Sequence, residues 1–286
     1  MKKKKWLAVA ALALVFLVSA GMLLAQSLQY RLGAQAYSEA ETLVQLPDLS
    51  ALPSPSPAAG AVSPDQEHPD SETPDPEASD QDADQDAAAQ PSPQQVDPYA
   101  EALRDMDFTA LRQVNPDVVG WLLIPNTAIS YPLLQGTDDQ YYLNHLWNRS
   151  YGTVGSIFLE SQNSRDLSDF NTIVYGHRMR NRSMFGPLRN YQSQDYWQAH
   201  PWVYLTDDSG VHTYEIFAAY EVDAAGDAYR LGISSDAGKQ AFLNFCLEQS
   251  VIQTGVVPTT EDRILTLSTC TGSGHETRWV VQAVRR

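Results

Sequence analysis

The chain has 286 residues, 43% of them hydrophobic, with a formal net charge of −16 at pH 7. The surplus of acid argues against a nucleic-acid partner, because phosphate binding needs a basic face. Two cysteines are too few for a disulfide scaffold. A single Cys246–Cys270 bridge and a pair made of one buried and one functional thiol both stay open.

The first five residues include Lys2, Lys3, Lys4 and Lys5, and an apolar run over 6–25 follows, interrupted only by Ser19 and Gly21. About 20 apolar residues are what a bilayer-spanning helix needs. The lysine cluster predicts a cytoplasmic N-terminus (1–5), a single-pass anchor (6–25) and an exported remainder. Val18-Ser19-Ala20 resembles a small-residue cleavage site, but signal h-regions are typically shorter than this run. Either reading exports the rest of the chain.

Residues 26–46 read as a short helix or juxtamembrane stalk. From 47 to 98 the composition shifts to Pro, Ser, Asp and Gln, with Pro53, Pro55, Pro57, Pro64, Pro69, Pro74 and Pro76 and a run of alternating Asp from 80 to 86. The acid between 65 and 97 is unrelieved by Lys or Arg, so the net charge describes this segment more than the folded domain. Such a stretch buries too little apolar surface to offset its ordering entropy, and disorder is expected. Coil behaviour of about 50 residues gives an end-to-end distance of about 40 Å. The expected role of 26–97 is therefore a stalk and linker that lifts a domain off the membrane.

Residues 98–286 read as one compact domain with a hydrophobic interior. Leu103, Met106, Ala110 and Leu111 give residues 99–113 a helical spacing. Seven short apolar runs follow, at 118–124, 156–159, 172–175, 203–206, 213–222, 264–269 and 278–284, separated by turn signals. Many short strands with turns between them predict a mainly β fold, an antiparallel barrel or sandwich. Residues 237–249 read as a late helix before the last strands, with Cys246 on its apolar face as a buried, inert thiol.

Three residues stand out chemically. Cys270 ends the 264–270 strand and enters a Gly-rich loop, a place where a side chain can meet substrate. A reactive thiolate needs a nearby cation or a paired base. Arg278 opens the next strand, and a hairpin would return it to Cys270. His177 sits where the strand 171–175 runs into a loop, suited to general acid and base work. His275, Asn144 and His145 read as loop or structural residues. Trp121, Trp147, Trp197, Trp202 and Trp279 read as core. Asp107, Asp138 and Asp139 match no calcium-loop spacing. Arg178, Arg180, Arg182 and Arg189 make the histidine loop locally basic.

Thr266-Leu267-Ser268-Thr269-Cys270 resembles the signature pentapeptide of sortases. Tyr175-Gly176-His177, followed by Ser183-Met184-Phe185-Gly186 and Leu188, is similar to the histidine segment of class B sortases, and Arg278-Trp279-Val280-Val281 to the opening of their last strand. The resemblance covers about 99–286 and implies a closed eight-stranded β-barrel with an N-terminal helix and a late helix before the cysteine strand. It implies a membrane-anchored cysteine transpeptidase with Cys270 as nucleophile, His177 as acid and base, and Arg278 as oxyanion and substrate clamp. No metal or organic cofactor is implied. The implied partners are secreted proteins with a C-terminal sorting motif and an amine of a peptidoglycan precursor or pilin. A hydrolase on the same three residues, and a non-catalytic wall-binding domain, are the alternatives.

Overall fold

The computed structural model describes residues 2–53, 97–271 and 276–286. The linker expected over most of 26–97 and the loop residue His275 lie, from 54 to 96 and from 272 to 275, outside the described residues. Helix α1 (Lys2–Leu43) is one continuous helix of 42 residues. It runs straight through the expected stalk. Leu14, Phe16 and Leu23 of its apolar part are exposed, whereas Ala36, Tyr37, Ala40 and the following Val44 are buried. It is long and apolar enough to cross a membrane.

The helix predicted across 99–113 is two short ones, α2 (Pro98–Leu103) and α3 (Thr109–Val114). Asp97 caps α2 by accepting from Tyr99 and Ala100 N–H, with Pro98 at the first helical position. Asp107 accepts from Thr109 N–H at 2.8 Å and turns the chain between them. Such local side-chain bonds compete with helix continuation.

Eight strands follow: β1 (Val118–Leu123), β2 (Ser130–Leu134), β3 (Ile157–Leu159), β4 (Asn171–Tyr175), β5 (Trp202–Asp207), β6 (Gly210–Asp223), β7 (Ile264–Cys270) and β8 (Thr277–Arg285). They close into a barrel in the order β1-β2-β3-β4-β7-β8-β6-β5, with β5 returning to β1. Two pairings, β2–β3 and β4–β7, are parallel, which corrects the all-antiparallel expectation. Parallel neighbours need long crossovers that strand patterning does not announce. The sequence reading lacks β2 because Pro132 interrupts it; the proline sits opposite Trp121 without ending the pairing. Helices α4 (Gln194–Ala199) and α5 (Asp236–Gln249) complete the fold, α5 lying where the late helix is predicted.

Strand alternation explains both layers of the core. On β8, Trp279, Val281 and Ala283 join Leu265 and Leu267 of β7 in the main cluster. The intervening Val280 and Val284, with Ile264, pack under Phe242, Leu243 and Cys246 of α5 in a second cluster. Burial on both faces is why β7 is apolar or Thr almost throughout. The face of β7 and β8 that α5 covers at one end emerges into solvent at the other, and Cys270 and Arg278 belong to that face.

Candidate active site

Two strand registers assemble the site. β4 and β7 run parallel with Tyr175 opposite Ser268, and the Gly176 N–H continues the ladder to the Ser268 carbonyl at 3.1 Å. Two residues further along each strand direction the same register sets His177 beside Cys270, where imidazole and thiol influence each other's protonation. β7 and β8 run antiparallel with Arg278 directly across from Cys270. Cross-strand partners on one face are neighbours, so the guanidinium stands over the same patch as the sulfur. The three residues that stood out in the sequence meet at one groove.

His177 is held from two sides. Its Nε2 lies 2.6 Å from the Leu143 carbonyl. A carbonyl only accepts, so Nε2 carries the hydrogen and the other ring nitrogen is left for the thiol. The Phe185 N–H donates to the His177 carbonyl at 3.0 Å, and Phe185 and Leu188 are buried beneath the histidine loop. Gly155 closes the far side with φ +60°; a Cβ there would lie 2.7 Å from the Leu143 oxygen and 2.9 Å from His177 Cδ2. Only glycine combines that backbone conformation with that close approach.

The electrostatics favour an ion pair. The hydrogen bond to Cys270 raises the His177 pKa above its ordinary value, against the opposing effect of burial, with the Leu143 carbonyl assisting. The same bond lowers the Cys270 pKa despite burial, and the charges of Arg278, His177 and Arg178 add to it. Arg278 Nη1 donates to the Thr277 carbonyl at 3.0 Å, which fixes the root of its fork. Two braces tie the histidine loop to the end of the cysteine hairpin. Arg189 Nη1 donates to the Thr271 carbonyl at 3.2 Å and Trp279 Nε1 to the Leu188 carbonyl at 2.8 Å.

The groove has a volume of about 210 Å³ and runs from Cys270 past Leu143, Tyr175, Tyr229 and Ser268 to Asp139. The Tyr229 and Ser268 hydroxyls are 2.8 Å apart, and Tyr175 donates to Glu160 at 2.8 Å. Burial and the nearby Asp139 push the Glu160 carboxyl upward. Leu143, Gly155 and Tyr229 carry no sequence signal that would single them out. A main-chain carbonyl, a glycine and a lone tyrosine gain meaning only from what folds against them.

The other candidates have other places. Cys246 is buried, burial pushes its thiol up to about 12, and both cysteines are free. His145 stacks on Tyr141 with centroids 3.9 Å apart and holds the Tyr141 carbonyl with Nδ1. Asn144 donates its N–H to the same carbonyl. Asp138 accepts from Gln140 and Tyr141 N–H and shapes a turn. Arg180 and Arg182 are exposed on the histidine loop. Trp121, Trp147, Trp197 and Trp279 are buried.

A closed eight-stranded barrel with Cys, His and Arg converging on one outer groove defines a class of cysteine enzyme folds, and the Sortase domain family model matches residues 122–286. The chain belongs to the sortase family. It is 40% identical over 162 residues to Sortase B of Listeria monocytogenes, covering 56% of this chain and 65% of that protein. It is 34% identical over 170 residues to Sortase B of Staphylococcus aureus, covering 59% of this chain and 70% of that one. The match thus spans less than two thirds of the Listeria protein and slightly more than two thirds of the Staphylococcus one. Among solved structures, a Staphylococcus aureus sortase B–substrate complex superposes with a TM-score of 0.60 at 34% identity, covering 63% of this chain and 84% of that chain.

Proposed function

We propose that this protein is a membrane-anchored cysteine transpeptidase of class B type, with residues 98–286 as its catalytic domain, α1 as its anchor and the domain outside the cell. The observation that carries the reading is the convergence of His177, Cys270 and Arg278 on one groove, with Arg278 opposite the thiol. Cys270 Sγ attacks the Thr carbonyl carbon of a sorting motif in a secreted protein. Arg278 stabilises the oxyanion that develops. As the C–N bond breaks, His177 gives its proton to the leaving amine and a thioester remains. An amine then attacks the thioester, His177 takes its proton, the C–S bond breaks and a new amide forms. That the Staphylococcus aureus relative has been solved as a substrate complex supports a substrate-binding role for the same fold here. The acceptor in this reading is an amine of a peptidoglycan precursor or a pilin.

The test is the full chain in lipid nanodiscs, given Thr-containing sorting peptides and an amine, with products read by mass spectrometry. A Cys270-dependent product joined to the amine is expected, and Cys270→Ala should give none. Cleavage without joining would replace the transpeptidase with a hydrolase. No thioester with any peptide would leave a binding domain.

A further inference from the structure

The path from membrane to barrel is α1 itself. The apolar run ends at Ala25. One turn later the helix already touches the catalytic domain, where Gln29 Oε1 accepts from the Thr153 N–H at 3.4 Å. Gly33 packs on Val154, and a Cβ there would come within 2.7 Å of Val154 Cγ2. The Ala36 carbonyl accepts from Trp147 Nε1 at 2.6 Å, and the Tyr37 hydroxyl donates to the Gly155 carbonyl at 2.5 Å. Past the helix, Leu46, Leu49 and Leu52 still pack on the main cluster. Whatever residues 54–96 do, the chain has reached the barrel before they begin.

Distance along the helix then fixes depth. With a rise of 1.5 Å per residue, Gln29 lies about 6 Å beyond Ala25. The headgroup region on one side of a bilayer is about 5–8 Å thick. We propose that the loop tip at 151–153, together with the adjoining turn of α1, rests in the lipid headgroup layer, so that the catalytic domain is seated on the bilayer surface. This rests on α1 being the anchor.

The side chains at that level suit the interface. Tyr151 is 63% exposed at the loop, and Leu28 and Leu32 are exposed on α1 beyond the apolar run. Arg31 is exposed between them. Tyrosine and basic residues flanking an apolar span are typical of the membrane–water boundary. The seat is also wired to the site. Tyr151 bridges to His145, and two residues before His145 the Leu143 carbonyl holds His177. A groove so placed serves acyl donors held close to the membrane, and the spacer expected of the linker has no distance to set.

Depth quenching on the full chain tests this. In a Cys270→Ala background, Tyr151→Cys and, on α5, Glu248→Cys each receive a fluorophore, and the chain is reconstituted into vesicles whose lipids carry a shallow nitroxide. Quenching at 151 should exceed that at 248 several-fold. Gly33→Leu, which wedges α1 off Val154, should bring 151 down to the level of 248 while the chain stays with the vesicles. Equal quenching at both positions in vesicle-bound protein overturns the seating alone. Strong quenching at 151 that Gly33→Leu leaves unchanged overturns α1 docking as its cause. A chain absent from the vesicle fraction removes the anchor and the inference together.

Discussion

Cys270 and His177 move each other's protonation in opposite directions, and Arg278 pushes the thiol the same way as His177 does. Removing the imidazole takes away the largest effect lowering the thiol pKa and leaves burial, which raises it. The pH midpoint of Cys270 alkylation should therefore lie below the ordinary value of 9.0 in the native protein and rise in His177→Ala, where only Arg278 and Arg178 still oppose burial. The sign follows from the thiolate being the reactive form. Iodoacetamide labelling followed by mass spectrometry checks it, with buried Cys246 unreactive, and an unmoved midpoint would refute the pairing. At Arg278 the geometry of the fork matters as well as its charge. Loss of one oxyanion donor costs about 10²–10³-fold in kcat. Arg278→Ala should fall in that range, and Arg278→Lys should recover only part of it, because a single ammonium does not replace a planar fork. Steady-state kcat and KM with a cleavable peptide give the answer, and a loss confined to KM would reduce Arg278 to a binding residue.

Among the elements, the loop between β2 and β3 has the largest influence on the site without supplying a reacting group. It presents the Leu143 carbonyl to His177 and closes over it with Gly155. Gly155→Ala places a methyl group against the Leu143 and Tyr142 carbonyls in a left-handed backbone conformation. Strain of that kind costs about 1–3 kcal/mol. The variant should lose about that much in urea unfolding and also turn over more slowly, since the histidine shifts with its carbonyl partner. Reduced stability with native kcat would show that the Leu143 contact does not position His177. The histidine loop is the second such element. Met184 donates its N–H to the Tyr131 hydroxyl at 2.9 Å, and Tyr131 in turn meets Tyr37 of α1 edge-on at 5.0 Å. Helix α1 thereby reaches the histidine loop through one tyrosine.

For the whole molecule, this makes α1 part of the folded domain. A protein beginning at residue 97 leaves the Trp147 indole N–H without its Ala36 partner and uncovers Tyr131. Each kcal/mol lost lowers Tm by about 2–4 °C in a domain of this size. The shortened protein should therefore melt several degrees below one that begins at residue 26, as calorimetry on both would show. Equal melting temperatures would mean that the helix rests on the barrel without stabilising it.

What can be read without the fold follows from local physics. Apolar period and turn residues mark seven of eight strands and the late helix, because side-chain alternation and backbone breakers act over a few residues. The Cys270–Arg278 neighbourhood is also local, since a hairpin brings two adjacent strands together. The pairing of His177 with Cys270 is different. It depends on β4 lying parallel to β7 in one register, and nothing near either residue encodes a partner so far along the chain; family resemblance supplied that pairing in place of physics. The strand with Pro132, the split of the first domain helix and the roles of Leu143, Gly155 and Tyr229 are of the same kind. The docking of α1 is the clearest case. The sequence leaves residues 26–46 as a short helix or a stalk, whereas Gly33, Ala36 and Tyr37 become contacts only when Val154, Trp147 and Gly155, distant in sequence, fold against them. The sequence by itself determined which residues have reactive chemistry and which segments are strands. Only tertiary structure decided which of them meet, because long-range register and packing are properties of the closed barrel and of no single segment.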